Sequence, residues 1–257
     1  MGSMVRSASL LEFMIMVVIP LVIAAVLIYA GMRARRRAAL ITSTDKSNIG
    51  MANDGYRAFE GTIEAIDGKP VTSPLTKSAC VWFNAKVEES VGPRTNTKVA
   101  RHWRVLNEST SRTRFLVRDS TGVCVVHPED ADVTPTDRSV WYGATTEPTD
   151  RNPLKVGPGE SPSPGFQNLA GPDTRYRYSE ERIYAGDSLF VLGTFKTGLA
   201  GGEQPSIRRE AGDPPFILST SLRDAQINLM AKRGAAAFGI AVVPLAIAAL
   251  IVWLRLP

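Results

Sequence analysis

Two uncharged apolar runs, Phe13 to Met32 and Gly234 to Leu254, bracket this chain and restrict what can lie between them. Each is of transmembrane length: at ~1.5 Å of rise per residue, a helix of about 20 residues crosses a hydrocarbon core of ~30 Å. The first run exceeds the ~7–15 residues of a signal-peptide h-region, and a basic block follows it directly. Glu12 also stands where such a peptide carries positive charge. It therefore reads as a retained anchor. The expected organisation is a transmembrane helix over 10–32, a basic juxtamembrane tether over 33–56, a domain over 57–221, a connecting helix over 222–233 and a second transmembrane helix over 234–254. The sequence ends three residues after the second run, at Pro257, so function is expected in the middle segment. Pro20 and Pro244 lie inside the runs, where a membrane helix tolerates a kink. Small residues at 235, 239 and 243, and at 237 and 241, offer two stripes for close helix approach.

Charge gives an orientation. Arg33, Arg35, Arg36 and Arg37 follow the first run, and Lys232 and Arg233 precede the second, with only Arg6 and Arg255 on the outer flanks. The positive-inside rule places the middle in the cytoplasm and both termini across the membrane, with a bacterial inner or cell membrane as the expected location. The isoelectric point of 9.4 suggests nucleic acid at first sight. Yet residues 38–231 hold 22 cations against 24 acids, so the excess charge is juxtamembrane. There it can attract anionic lipid headgroups at ~1 kcal/mol per cation, and a nucleic-acid partner is not expected. Two cysteines, Cys80 and Cys124, sit in apolar surroundings and read as buried free thiols, which suits a reducing compartment.

From Tyr56 the pattern turns to short β-like runs bounded by turn residues. Strands are expected over 59–66, 79–88, 103–109, 115–117, 123–127, 181–184 and 189–194, with weaker ones over 207–209 and 216–219. Asp119-Ser120-Thr121-Gly122 supplies a hairpin turn, and Gly186-Asp187 another. The expected fold is membrane-anchored and mainly β: two helices flanking one β domain, with short barrel-like strands of the OB type. Residues 145–174 hold six prolines and four glycines and read as an insertion without a regular ladder.

No phosphate loop, GxGxxG, GxSxG or HExxH pattern occurs, and no catalytic residue, metal site or cofactor is expected. Cys80, His102, Cys124 and His127 have zinc-binding chemistry. Cys124 and His127, however, are three apart in an expected strand and point to opposite faces, so they read as structural. Glu180 and Glu181 read as a strand-edge charge and a turn contact. Arg101, His102 and Arg104, with Trp141, form a candidate basic-aromatic partner surface of the kind that protein contacts or single-stranded nucleic acid use. Trp82 and Trp103 read as core.

Three stretches resemble a known family. Glu60-Gly61-Thr62-Ile63-Glu64-Ala65 with Ser73-Pro74-Leu75-Thr76 and Cys80-Val81-Trp82-Phe83 is similar to its opening. Phe115-Leu116-Val117-Arg118-Asp119-Ser120-Thr121-Gly122 is similar to its centre, and Tyr178-Ser179-Glu180-Glu181-Arg182-Ile183-Tyr184-Ala185-Gly186-Asp187 to its close. The chain resembles the GIDE domain, also called BAM (beside a membrane), of MULAN/MAPL-type membrane ubiquitin and SUMO ligases. The resemblance implies structural roles for Trp82, Asp119, Gly122, Glu181, Gly186 and Asp187. It also implies a sensing or scaffolding domain at a membrane, like that of RING-less prokaryotic members. In the ligases a RING recruits the ubiquitin-loaded enzyme through two zinc sites of four ligands each. These 257 residues hold two Cys and two His, so the ligase chemistry is not carried over. The expectation is a domain that recruits an unidentified protein partner at the cytoplasmic face. The alternatives are a component of an E3-ligase-like system, and a binder of lipid headgroups or single-stranded nucleic acid.

Overall fold

The computed structural model describes residues 9–91, 102–148, 154–156, 175–198, 203–221 and 223–255. They fall into two compact units, Met1–Thr44 with Arg223–Pro257, and Asp45–Leu222.

The first unit is a pair of helices, α1 (Leu10–Ser43) and α2 (Arg223–Arg255). Both are long and apolar enough to cross a membrane. A capping box starts α1: the Ser9 amide donates to the Glu12 carboxylate at 2.8 Å, and the Glu12 amide to the Ser9 hydroxyl at 3.3 Å. Glu12 is thus a helix-start residue. Gly31 brings the helices together, since a Cβ there would lie 2.9 Å from the Phe238 ring. Arg35 lies over that ring at 4.4 Å, and Arg255 lies over Phe13 at 4.1 Å. The α2 seam is Gly234, Ala241, Pro244, Ala248 and Ile251. Of the two small-residue stripes, 237/241 therefore borders the contact, whereas 235, 239 and 243 are exposed. Apolar side chains on the other faces point outward, as with Ile23 and Val242.

The second unit is built from β1 (Gly55–Glu64), β2 (Val71–Thr72), β3 (Ala79–Cys80), β4 (Trp82–Val91), β5 (His102–Thr110), β6 (Phe115–Arg118) and β7 (Val123–Val126). The chain continues through β8 (Asp132–Thr134), β9 (Asp137–Gly143), β10 (Leu154–Val156), β11 (Tyr176–Ile183), β12 (Ser188–Lys196), β13 (Ser206–Arg208) and β14 (Ile217–Ser219). Strands β1, β6, β7, β13 and β12 pair in that order and β12 pairs back with β1, closing a five-stranded barrel. Strand β14 pairs with Phe190–Leu192 of β12, on the same side as β13, and carries β8. A separate antiparallel sheet has the order β10-β9-β11-β4-β5, and β2 pairs with β3.

Sequence explains the barrel. Alternating Phe115 and Val117 in β6, and Phe59 and Ile63 in β1, point into a core completed by Leu189, Val191, Phe195 and Ile207. Phe59 meets Phe195 edge-on, with centroids 4.9 Å apart. β12 is buried from Leu189 to Phe195, because it has partners on both sides.

Several expectations change. β1 spans 55–64 rather than 59–66, and Ile66 begins a 3₁₀ turn in which Asp67 has φ 54°. The run expected over 79–88 breaks at Val81 into β3 and β4. Strands β2, β8, β9 and β10 were not expected. β10 gives the insertion a rung on β9 through Leu154↔Val140, while most of 145–174 lies outside the described residues. The expected tether is ordered: helix continues to Ser43, and Ile49, in a 3₁₀ turn, is buried in the barrel core.

Candidate binding surface

The hairpin turn after β6 works as a staple. One oxygen of Asp119 accepts from the Thr121 amide (2.6 Å), the Thr121 hydroxyl (2.7 Å) and the Gly122 amide (2.8 Å). The other accepts from the Ile49 amide at 2.8 Å, so the turn also holds the segment before β1. Burial pushes the Asp119 carboxyl up, but these donors more than offset it and leave it below its ordinary value. Gly122 and Gly50 pack backbone to backbone, a Cβ on Gly50 falling 2.4 Å from the Thr121 carbonyl. The second turn has Gly186 at φ +91°, and Asp187 accepts from the Thr136 hydroxyl at 2.6 Å.

The five-stranded sheet has two unlike faces. Along β11, Tyr176, Tyr178, Glu180 and Arg182 alternate onto one of them. Glu180 is fully buried there, which corrects its reading as a strand-edge charge. Its carboxylate accepts from the Leu75 amide (2.8 Å), the Thr76 amide (3.0 Å), the Ser73 hydroxyl (3.1 Å) and the Thr76 hydroxyl. Arg182, 3% exposed, donates to Glu180 at 2.9 Å, to Asp137 at 2.7 Å and to Ser139 at 2.5 Å. The network fastens the Ser73–Ser78 loop onto the sheet. Beside it, Val87, Trp141 and Tyr178 form a small second core.

The opposite face is a charged lattice. Arg177 forks onto Glu88 through bonds of 2.6 and 2.7 Å, and its guanidinium lies 4.8 Å from the Trp103 ring. Lys86 pairs with Glu108 at 3.1 Å and Arg138 with Glu181 at 3.4 Å. Burial raises the Glu181 carboxyl above its ordinary value against the pull of Arg138 and Lys86.

β5 ends this sheet. All its residues but Trp103 are exposed, and no described residue pairs with its outer side. A bulge between Val87 and Glu88 leaves Leu106 without a partner on β4, and Val105 and Leu106 stand 47% and 43% exposed. An exposed strand edge with apolar side chains is a template for another strand.

The expected basic-aromatic surface does not form as a unit. Trp141 is 5% exposed and stacks on Tyr178 at 5.4 Å, inside the second core, which withdraws it from any partner surface. Arg101 lies outside the described residues. His102 is exposed at the start of β5, and Arg104 shares the Glu89 carboxylate with Arg175. Trp103 faces the other side from Arg104, because neighbours in a strand alternate. Trp82 is buried in the barrel core. Both thiols are buried, which pushes Cys80 up to about 11 and Cys124 up to about 12. Neither is a nucleophile near neutral pH. The network of buried Ser139, Glu180 and Arg182 with half-buried Asp137 escaped sequence reading, although period-two placement of Tyr176, Tyr178, Glu180 and Arg182 was a usable signal.

These features meet in one match. The GIDE family, described as E3 ubiquitin ligase, covers residues 84–253, about two thirds of the sequence. The chain belongs to the GIDE family. The matched region takes in the sheet from β4 onward, the Asp119 and Gly186 turns and most of α2. Among curated proteins and solved structures there is no significant match.

Proposed function

We propose that this GIDE-family chain is a membrane-tethered binding or scaffolding module that recruits a protein partner along β5. The carrying observation is the exposure of that strand on both faces, with its outer side unpaired among the described residues. Its backbone N–H and C=O groups offer main-chain pairing, while Val105 and Leu106 add apolar contact. The helices of the first unit anchor the module. Arg33, Arg35, Arg36 and Arg37 after the first apolar run, with Lys232 and Arg233 before the second, support a cytoplasmic placement of the β domain. Arg33 and Arg36 are exposed on α1 and suited to anionic headgroups.

A photo-crosslinking residue at Asn107, an exposed position on β5, tests the dock in intact cells. The expected result is a discrete crosslinked protein that is absent when the probe sits at exposed Lys69. Equal patterns from both positions sink the reading. Sidedness is tested with Lys69→Cys and a membrane-impermeant maleimide; both native thiols are buried and do not compete. Protection until the membrane is opened supports the cytoplasmic placement, and labelling in intact cells refutes it.

The family's description favours a second reading, a component of an E3-ligase-like system. The two Cys and two His of this sequence fall short of a RING's ligands, so transfer would depend on a RING outside these 257 residues. Ubiquitin transfer by this chain alone would overturn that dependence.

A further inference from the structure

A cleft of about 590 Å³ lies where the charged face of the sheet meets the loop after β7. Its floor is a row across three strands, because Thr110 pairs with Asn84 and Asn84 with Glu181, which sets their side chains on one face. Trp82, two residues before Asn84 on the same strand, adds an aromatic wall, and Ala131 and Val133 add aliphatic surface. Glu129 and Asp130 stand on the rim with Arg112. Glu129 and Asp130 are exposed, and neither carboxylate makes a hydrogen bond or ion pair within the described residues. Glu181 is already paired with Arg138, so Glu129 and Asp130 against Arg112 give the cleft its negative balance. Trp82 supplies an independent sign of a missing ligand: it is 3% exposed, and its indole N–H has no acceptor among the described residues. A buried donor left so is unfavourable.

The cleft lies beside the end of the dock, since Thr110 is both its floor and the last residue of β5. A strand added to β5 would run ~4.8 Å away, and its residue opposite Thr110 would present its side chain on the cleft's face. An aliphatic stem with a cationic head matches this lining: the stem lies on Trp82, Ala131 and Val133, and the head reaches the carboxylates.

We propose that the partner of β5 is an extended segment carrying a lysine or arginine that enters this cleft beside Thr110. The inference rests on the β5 dock and adds the chemistry of its occupant.

The test uses the full chain in lipid nanodiscs and fluorescent six-residue peptides alternating threonine and valine. These carry lysine, norleucine or glutamate at the first or the last position, and binding is read by anisotropy. The lysine peptide with the matching direction is expected to bind about tenfold tighter than its norleucine counterpart, as one charge-assisted contact provides. Glutamate should weaken binding. The double substitution Glu129→Gln with Asp130→Asn should erase the lysine preference; Asn suits position 130, where φ is +55°. Equal affinity for lysine and norleucine, or a preference that survives the double substitution, overturns the cleft assignment. N-methylating alternate peptide amides separates the two readings. If methylation abolishes binding while lysine and norleucine act alike, the dock stands and the cleft falls. If methylation has no effect while the lysine preference persists, the cleft stands and the dock falls. Absence of binding by every peptide overturns both.

Discussion

Between β1 and β12 the barrel buries Phe59 against Phe195; between β9 and β11 the sheet buries Arg182 against Asp137 and Glu180. The barrel closes on itself and fills with apolar side chains, which are non-directional and tolerate many arrangements. The sheet stays open, has a small apolar core around Val87, Trp141 and Tyr178, and is organised by an ion network in which every bond has a direction. An open sheet must hold its covering loop in one place without a large core, and directional bonds to Leu75 and Thr76 do so. The difference also divides labour: closure removes edges from the barrel, and β5 is left as the long exposed edge.

The largest effects should come from breaking each interior in its own currency. Arg182→Ala strands Glu180 and Asp137 and should cost about 3–5 kcal/mol, read by chemical denaturation in detergent micelles. Replacing Glu180 and Arg182 together by Leu and Met should recover part of that loss, since the fully buried Glu180 charge is then not left alone, while Asp137, 14% exposed, keeps the Tyr184 hydroxyl as a donor. Phe195→Ala in the barrel should also cost about 3–5 kcal/mol, but pairing it with Phe59→Ala should deepen the loss. If the two double variants behave alike, the contrast between the interiors is wrong.

Gly61→Ala should come next, at about 1–3 kcal/mol, because its Cβ would fall 2.3 Å from the Arg118 carbonyl where β1 and β6 join. Recovery of barrel stability with an unchanged fluorescence spectrum would show that this strand pair yields more easily than its spacing suggests.

Titration should show opposite signs in the two regions. The folded Asp119 carboxyl lies below its ordinary value, so its contribution is present above about pH 4 and lost as pH falls through the folded value. The folded Glu181 carboxyl lies above its ordinary value, chiefly through burial. Its contribution is greatest below about pH 4 and is lost as pH rises through the raised value. Asp119→Asn should flatten the acid limb of a stability–pH profile, and Glu181→Gln should stabilise at neutral pH. A Glu181→Gln profile parallel to the parent would remove the sheet from this contrast. The smallest change is expected for Arg118→Ala, which loses only the exposed pair with Glu64. A melting shift as large as that of Gly61→Ala would mean that this pair clamps the β1–β6 seam.

Much of the barrel was legible. Phe115-Leu116-Val117 is an apolar run between Arg114 and Arg118, and Asp119 to Gly122 is a turn in sequence and in structure. The sheet was less so, because β9 begins Asp137-Arg138-Ser139, a composition that suggests a turn. Asp137 and Ser139 sit in a central strand here because Arg182, 43 positions from Ser139, bonds both, and Arg138 pairs with Glu181 on the other face. Trp141 looked like an anchor for the same reason: nothing local signals that Tyr178 will cover it.

The sequence by itself determined the two apolar helices, the charge flanking them, the mainly β middle and its turns. These follow from local composition and periodicity, which act over a few residues. Tertiary structure decided which charges are buried, which strand closes the barrel and which is left as an edge. Those outcomes depend on pairings such as Glu180 with Thr76 and Ile49 with Asp119, between residues 104 and 70 positions apart. At such separations burial and direction, rather than propensity, choose the partner.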